Sequence, residues 1–144
     1  MIISVVEQLK VHELEPLVIR SEQEGFKHLQ RLVNEYVAGE NTFSGEGEAL
    51  YIVREQEQII GVVGLNQDPF SDHSTGRIRR LYVHPDYRHL GIGKQLVQKV
   101  TSEAKKFYNI LVLYTNSEQA SQFYIQLAFK QEHGNPHRSH YKVL

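Results

Sequence analysis

The stretch from Arg79 to Lys106, RRLYVHPDYRHLGIGKQLVQKVTSEAKK, limits most sharply what this chain can become. An apolar strand end (Leu81, Tyr82, Val83) is followed by a Pro85 turn, a loop with Gly91 and Gly93, and the apolar spacing of a helix: Ile92, Leu96, Val97, Val100, Ala104. Strand, glycine loop and helix in that order place unpaired backbone N–H groups at a helix start, where the macrodipole adds partial positive charge. Glycine at 91 and 93 lets a diphosphate approach those amides, and Arg88 and Lys94 add full charge. A strand-to-helix turn that simply needs glycine is the alternative reading of the same residues.

Two familiar phosphate loops do not fit. A Walker loop would need glycine where Arg88 stands and Ser or Thr after Lys94, which is followed by Gln95. The dinucleotide fingerprint would need a third glycine at Leu96.

The pattern that does match is RxxGxG, spelled Arg88, His89, Leu90, Gly91, Ile92, Gly93 and preceded by LYVHPDY. Here the sequence resembles the GNAT superfamily of acyl-CoA-dependent N-acyltransferases. The resemblance implies that amides of residues 88–94 hold the pyrophosphate of acetyl-CoA. It implies that the strand Leu81, Tyr82, Val83 carries the pantetheine arm, splayed from the following strand, Ile110 to Tyr114. Tyr124 matches the tyrosine that reaches the CoA sulfur in many relatives, although the GlyPhe pair that follows it there is Ala128 and Phe129 here. Asn116 matches a position that often holds the pantetheine amide, and is also a suitable helix cap. His89 is a further departure, since many relatives carry Gly or Arg there.

Periodicity along the rest of the chain agrees with such a plan. Ile2 to Val6 reads as a strand, residues 14–24 as a helix with Pro16 in its first turn, and Phe26 to Val37 as a second helix stopped by Gly39. GENTFSGEGE (residues 39–48) is loop, Ala49 to Val53 and Ile59 to Leu65 form a hairpin, and NQDPFSDHSTG (residues 66–76) is a second loop before a strand at Ile78 to Val83. After the glycine motif and its helix come a central strand Ile110 to Leu113, a helix capped by Asn116 or Ser117, and short strands Phe129 to Glu132 and Tyr141 to Leu144. The order β-α-α-β-β-β-α-β-α-β-β is an α+β plan with a mixed, mostly antiparallel sheet, expected as one domain over residues 1–144.

Composition narrows the function. Sixteen basic and 17 acidic residues in 144 give net charge −1 and no footprint for nucleic acid or an anionic membrane. The absence of cysteine excludes thiolate metal sites and a cysteine nucleophile, so acyl transfer is direct or uses another nucleophile, and direct transfer in a ternary complex is the expectation. With no leader-like N-terminus and no apolar run near ~20 residues, the chain reads as soluble and cytoplasmic. The expected activity is acetyl transfer from acetyl-CoA to an amine of a small molecule or peptide, and the resemblance makes a homodimer one expected assembly. The alternatives are a catalytically silent acyl-CoA-binding module and an unrelated nucleotide-binding domain.

Candidate general bases are Asp68, Asp72 and His73 in the second loop and Glu46 and Glu48 in the first, each read first as a solvated loop charge. The acidic loops, with Glu40, suggest a cationic acceptor. His133, His137 and His140 are read as surface residues, and no metal site is expected, because Gly134 and Pro136 break any helix that would align them. His84 reads as a turn residue.

Overall fold

The computed structural model describes residues 2–144. Seven strands form one sheet, β1 (Ile3–Val5), β2 (Ala49–Glu55), β3 (Gln58–Gln67), β4 (Thr75–Val83), β5 (Ile110–Leu113), β6 (Lys130–Gln131) and β7 (His140–Val143), in spatial order β1-β2-β3-β4-β5-β7-β6. Every neighbouring pair is antiparallel except β4 and β5, which run parallel. Four helices cover the sheet: α1 (Val11–Gln23), α2 (His28–Val37), α3 (Ile92–Ala104) and α4 (Glu118–Gln126). This is the expected α+β order, element by element.

Strand periodicity sorts side chains onto two cores. On one face Leu14 and Leu17 of α1 and Leu29 and Leu32 of α2 pack with Ile52, Ile59, Val62 and Tyr82. On the other, Ile92, Leu96, Val97 and Val100 of α3 and Tyr124 of α4 pack with Ile60, Val63, Ile78 and Leu111. β3 and β4 are therefore covered on both sides, and in β5 Leu111 and Leu113 join the second core while Val112 is fully buried as well, in keeping with the unbroken apolar run of Ile110 to Leu113.

Of the boundaries that differ from expectation, two have clear local reasons. α1 begins at Val11, so Pro16 sits inside the helix rather than in its first turn. An ion pair from Arg54 to Glu13, 2.8 Å, holds that added turn onto β2. β4 begins three residues early because Thr75, Gly76 and Arg77 pair with β5. Gly76 is required there by close approach: a Cβ would stand 2.5 Å from the Tyr108 ring.

Candidate active site

The site grows out of the one parallel strand pair. β4 and β5 are in register only at Thr75–Ile110, Gly76–Leu111 and Arg77–Val112. Beyond Arg77, β4 runs on to Val83 beside β3 alone, while β5 stays paired to β7 through Leu113–His140. A bulge in β4 accompanies the parting. Arg80 and Leu81 together stand opposite the single Val63, and Arg80 takes φ 60°, a left-handed conformation that costs a non-glycine residue about 1–2 kcal/mol. The result is a V-shaped opening in which one edge of β4, from Ile78 to Val83, has no strand beside it.

At the end of that edge lies the glycine motif. A short 3-10 turn, Pro85–Tyr87, starts with the His84 imidazole accepting the Asp86 N–H at 3.1 Å, which bears out the turn role of His84. His89 (φ 63°) and Gly91 (φ 83°) are both left-handed, and His is among the non-glycine residues that tolerate this. α3 has no side-chain cap; its first backbone bond runs from the Gln95 N–H to the Gly91 carbonyl, 3.0 Å. Among the described residues the amides of 89–94 have no protein partner. A Cβ on Gly91 would meet nothing within 4 Å, so the space over these amides is open, whereas one on Gly93 would touch the Phe123 ring at 3.4 Å, ordinary contact. The cradle thus fits an anionic diphosphate.

The cradle's arginine is engaged elsewhere. Arg88 gives Glu24, at the C-terminus of α1, two hydrogen bonds of 2.8 and 2.6 Å, and its Nε donates to the Val83 carbonyl at 3.0 Å. The Tyr82 hydroxyl donates to the same carboxylate, and its ring lies 5.3 Å under the guanidinium. The Arg88 bonds first, then the Tyr82 bond, hold the Glu24 carboxyl below its ordinary range against the opposing effect of burial. Glu24 had no signal in the sequence, lying in a polar helix end. It ties the α1–α2 turn to both β4 and the cradle. Lys94, by contrast, is exposed and lines a groove of about 500 Å³ with Gln98, Lys105, Gln126 and Lys142.

α4 meets the cradle through Phe123, next to Tyr124. Tyr124 is 6% exposed and packs edge-on against Phe123 and Phe129, and burial pushes its phenol well above the ordinary value. Among the described residues its hydroxyl has no hydrogen-bond partner. The helix cap is Ser117, whose Oγ accepts the Ala120 N–H at 3.2 Å, so the exposed Asn116 side chain is left free at the end of β5.

Two of the five candidate loop residues, Asp68 and Glu48, correct the reading of solvated charge. Asp68 is 1% exposed and pairs with the buried Arg77 at 2.7 Å. Glu48 is half-buried, accepting from Asn66 Nδ2 at 2.9 Å and the Gln67 N–H at 3.1 Å. It lines a cavity of about 310 Å³ with Glu35, Glu40, Asn66 and Arg79. Asp72 and His73 are exposed, Asp72 merely closing a turn onto Ser74, and Glu46 is exposed as well. His133 and His137 lie at the surface as expected, but His140 is 1% exposed, held between Ser139 Oγ (2.8 Å) and Ser121 Oγ (2.9 Å). The strand partner Leu113 draws it inward. No metal-holding cluster of His, Asp or Glu occurs among the described residues.

One buried histidine outside the expected set has a pH consequence. His28, at the start of α2, has no partner for its buried Nδ1; burial first, then Arg80 and Arg31, lower it to about 4. Burial likewise lowers His140. The unfolded chain then binds more protons than the folded one below about pH 6.5, so stability is full above that value and falls toward pH 4. Urea midpoints measured from pH 7 to 4.5 should decline accordingly, and His28→Phe should flatten the decline; an unchanged slope would remove His28 as its cause.

A parallel pair that opens beside an amide cradle, on a sheet of this order, is the arrangement that the resemblance to acyl-CoA-dependent N-acyltransferases implies. The sequence profile of the acetyltransferase (GNAT) domain matches residues 46–131. The chain is 33% identical to a protein of Exiguobacterium sp. 255-15 described as an acetyltransferase, the match covering 99% of this chain and 92% of that one with a TM-score of 0.88. It also shares the fold of an acetyltransferase from Streptococcus agalactiae 2603 (19% identity, 99% and 98% covered, TM-score 0.78). The PaiA N-acetyltransferase from Thermoplasma acidophilum, in complex with coenzyme A, is similar too (20% identity, 100% of both chains, TM-score 0.70). The chain belongs to the GNAT acetyltransferase family, whose acyl donor is acetyl-CoA. No helix among the described residues is long and apolar enough to cross a membrane.

Proposed function

We propose that this protein moves an acetyl group from acetyl-CoA directly to the amine of a small-molecule or peptide acceptor, both bound at once. The observation that supports this best is the continuity of the unpaired amides of 89–94 with the open edge of β4. Acetyl-CoA supplies a thioester already activated toward amines. The amides at 89–94, with Gly91 leaving them uncovered, bind its diphosphate, and Lys94 adds a mobile charge. The backbone at Leu81, Tyr82 and Val83 aligns the pantetheine arm as a missing strand would, helped by Asn116. One amide of that edge polarises the acyl oxygen, an interaction worth about 3 kcal/mol.

The new C–N bond forms as the C–S bond breaks. The sulfur takes its hydrogen bond from the Tyr124 hydroxyl, and the amine proton leaves through the cavity lined by Glu48. A phenol raised above its ordinary value of about 10 does not release its proton to a thiolate whose acid has a pKa near 8.5. Tyr124 therefore acts as a hydrogen-bond donor. With no cysteine in the chain there is no thiol to carry the acyl group, which agrees with direct transfer.

A melting-temperature titration with acetyl-CoA, desulfo-CoA, ATP and NAD tests this reading. At 100 times its Kd a ligand adds about 2.7 kcal/mol, roughly 5–10 °C at this chain length. Only the CoA compounds should do so. Gly91→Asn tolerates the left-handed backbone while filling the cradle, and should fold yet lose most of the shift. A shift with ATP or NAD, or an undiminished one in Gly91→Asn, would overturn the assignment.

A further inference from the structure

The cavity of about 310 Å³ lies beside the opening of the sheet, since Arg79 in its lining is two residues beyond the last β4–β5 pair. Its charges are unequally matched. Glu35 is taken by Arg80 at 3.1 Å, and one oxygen of Glu48 by Asn66 and the Gln67 N–H. The Arg79 side chain, in contrast, makes no hydrogen bond or ion pair among the described residues, and its Nε is buried without a partner. It stands opposite Gly64, which offers it no side chain.

A guanidinium that is partly buried and unpaired costs stability unless something bonds to it. Its planar fork matches a carboxylate, which it can bind through two parallel N–H···O bonds. Glu48 keeps its second oxygen, Oε1, without a donor among the described residues, and Glu40 is exposed on the rim. Cation-binding carboxylates and one unpaired guanidinium in a cavity of this size suit a small zwitterion rather than a simple polyamine.

We propose that the acceptor is an amine that also carries a carboxylate, as a free amino acid does, and that Arg79 binds that carboxylate while Glu48 and Glu40 face the ammonium end. The inference rests on the acetyl-transfer reading above and names its substrate class. Arg79 is then a specificity residue that touches substrate.

The experiment compares free L-amino acids with their α-carboxamides as acceptors, following thiol release from acetyl-CoA. Saturation-transfer NMR of the same acids with the CoA-loaded protein runs in parallel. The amide neighbour makes the α-amine less basic and so more available at neutral pH, which favours the amide; a preference for the acid has to come from the protein. Bonds to a charged group support a ratio of kcat/KM, acid over amide, of roughly 10- to 100-fold. Arg79→Gln should bring it to one or below, mainly through KM, and Arg79→Lys should restore part of it.

A ratio near one in the wild type, or no saturation transfer to any acid, would sink the proposal whatever the variants do. An absent acetyl-CoA shift would instead remove the acetyl-transfer reading. Acid binding lost in Arg79→Gln would still place a carboxylate site in that case.

Discussion

Tyr124→Phe is expected to lower kcat by at least ~10²-fold, the lower range for a positioned proton-bearing group, with little change in acetyl-CoA KM or melting temperature. The hydroxyl has no hydrogen-bond partner among the described residues, so its removal breaks nothing in the folded protein. The ring remains, and with it the edge contacts to Phe123 and Phe129. Burial that raises the phenol keeps its proton in place across the neutral range. The loss should therefore be flat in pH from 6 to 9, unlike that of a residue titrating in that window. A catalytically silent acyl-CoA-binding module makes the opposite prediction: equal binding and no rate to lose. Equal kcat in both proteins would exclude Tyr124 from the chemistry.

The parts of this architecture that repeat a period are legible in the sequence. Apolar spacing gave α2, α3 and β5, and the glycine motif gave the cradle, because those signals are local. What escaped was polar and long-range. Arg77 fell between the expected loop and the expected strand because a charged residue is rarely inside a sheet, yet it lies in β4 at 6% exposure beside Asp68 at 1%. Glu24 reads as one more solvated helix residue until the fold brings Arg88 to it across 64 positions. His140 sits among turn-forming residues, and only its register with Leu113 buries it. Arg79 carried no signal at all, since an unpaired charge is defined by what surrounds it. Charge type in a sequence shows cost; only the fold shows whether a partner offsets it.

Asp68→Ala should be among the most destabilising substitutions outside the apolar cores. The Asp68 and Arg77 side chains are 1% and 7% exposed, and removing the carboxylate leaves a buried guanidinium uncompensated, a cost of about 3–5 kcal/mol. For a chain near 150 residues that is a fall of roughly 10 °C or more in Tm. Arg77 also donates to the His137 carbonyl at 2.5 Å and lies over the Phe70 ring, which stacks on His137. The pair therefore fastens the loop before β4 to the segment before β7, on the residue where β4 and β5 part. Burial pushes the Asp68 carboxyl up, but bonds from Ser71 and Arg77 outweigh it and hold it below its ordinary 3.8. A carboxylate depressed in this way keeps its contribution above the unfolded value and loses it as pH falls through the lower folded one. The pair is intact throughout the histidine-driven decline between pH 6.5 and 4, so the two effects separate on the pH axis. Urea unfolding of Asp68→Ala and of the double variant Asp68→Ala, Arg77→Met decides the matter. Removing both charges should recover most of the loss, because the cost lies in the orphaned guanidinium rather than in the bond itself. A single-variant cost below about 1 kcal/mol, the range of an exposed pair, would show that water reaches Arg77 and that the strand opening does not depend on this pair.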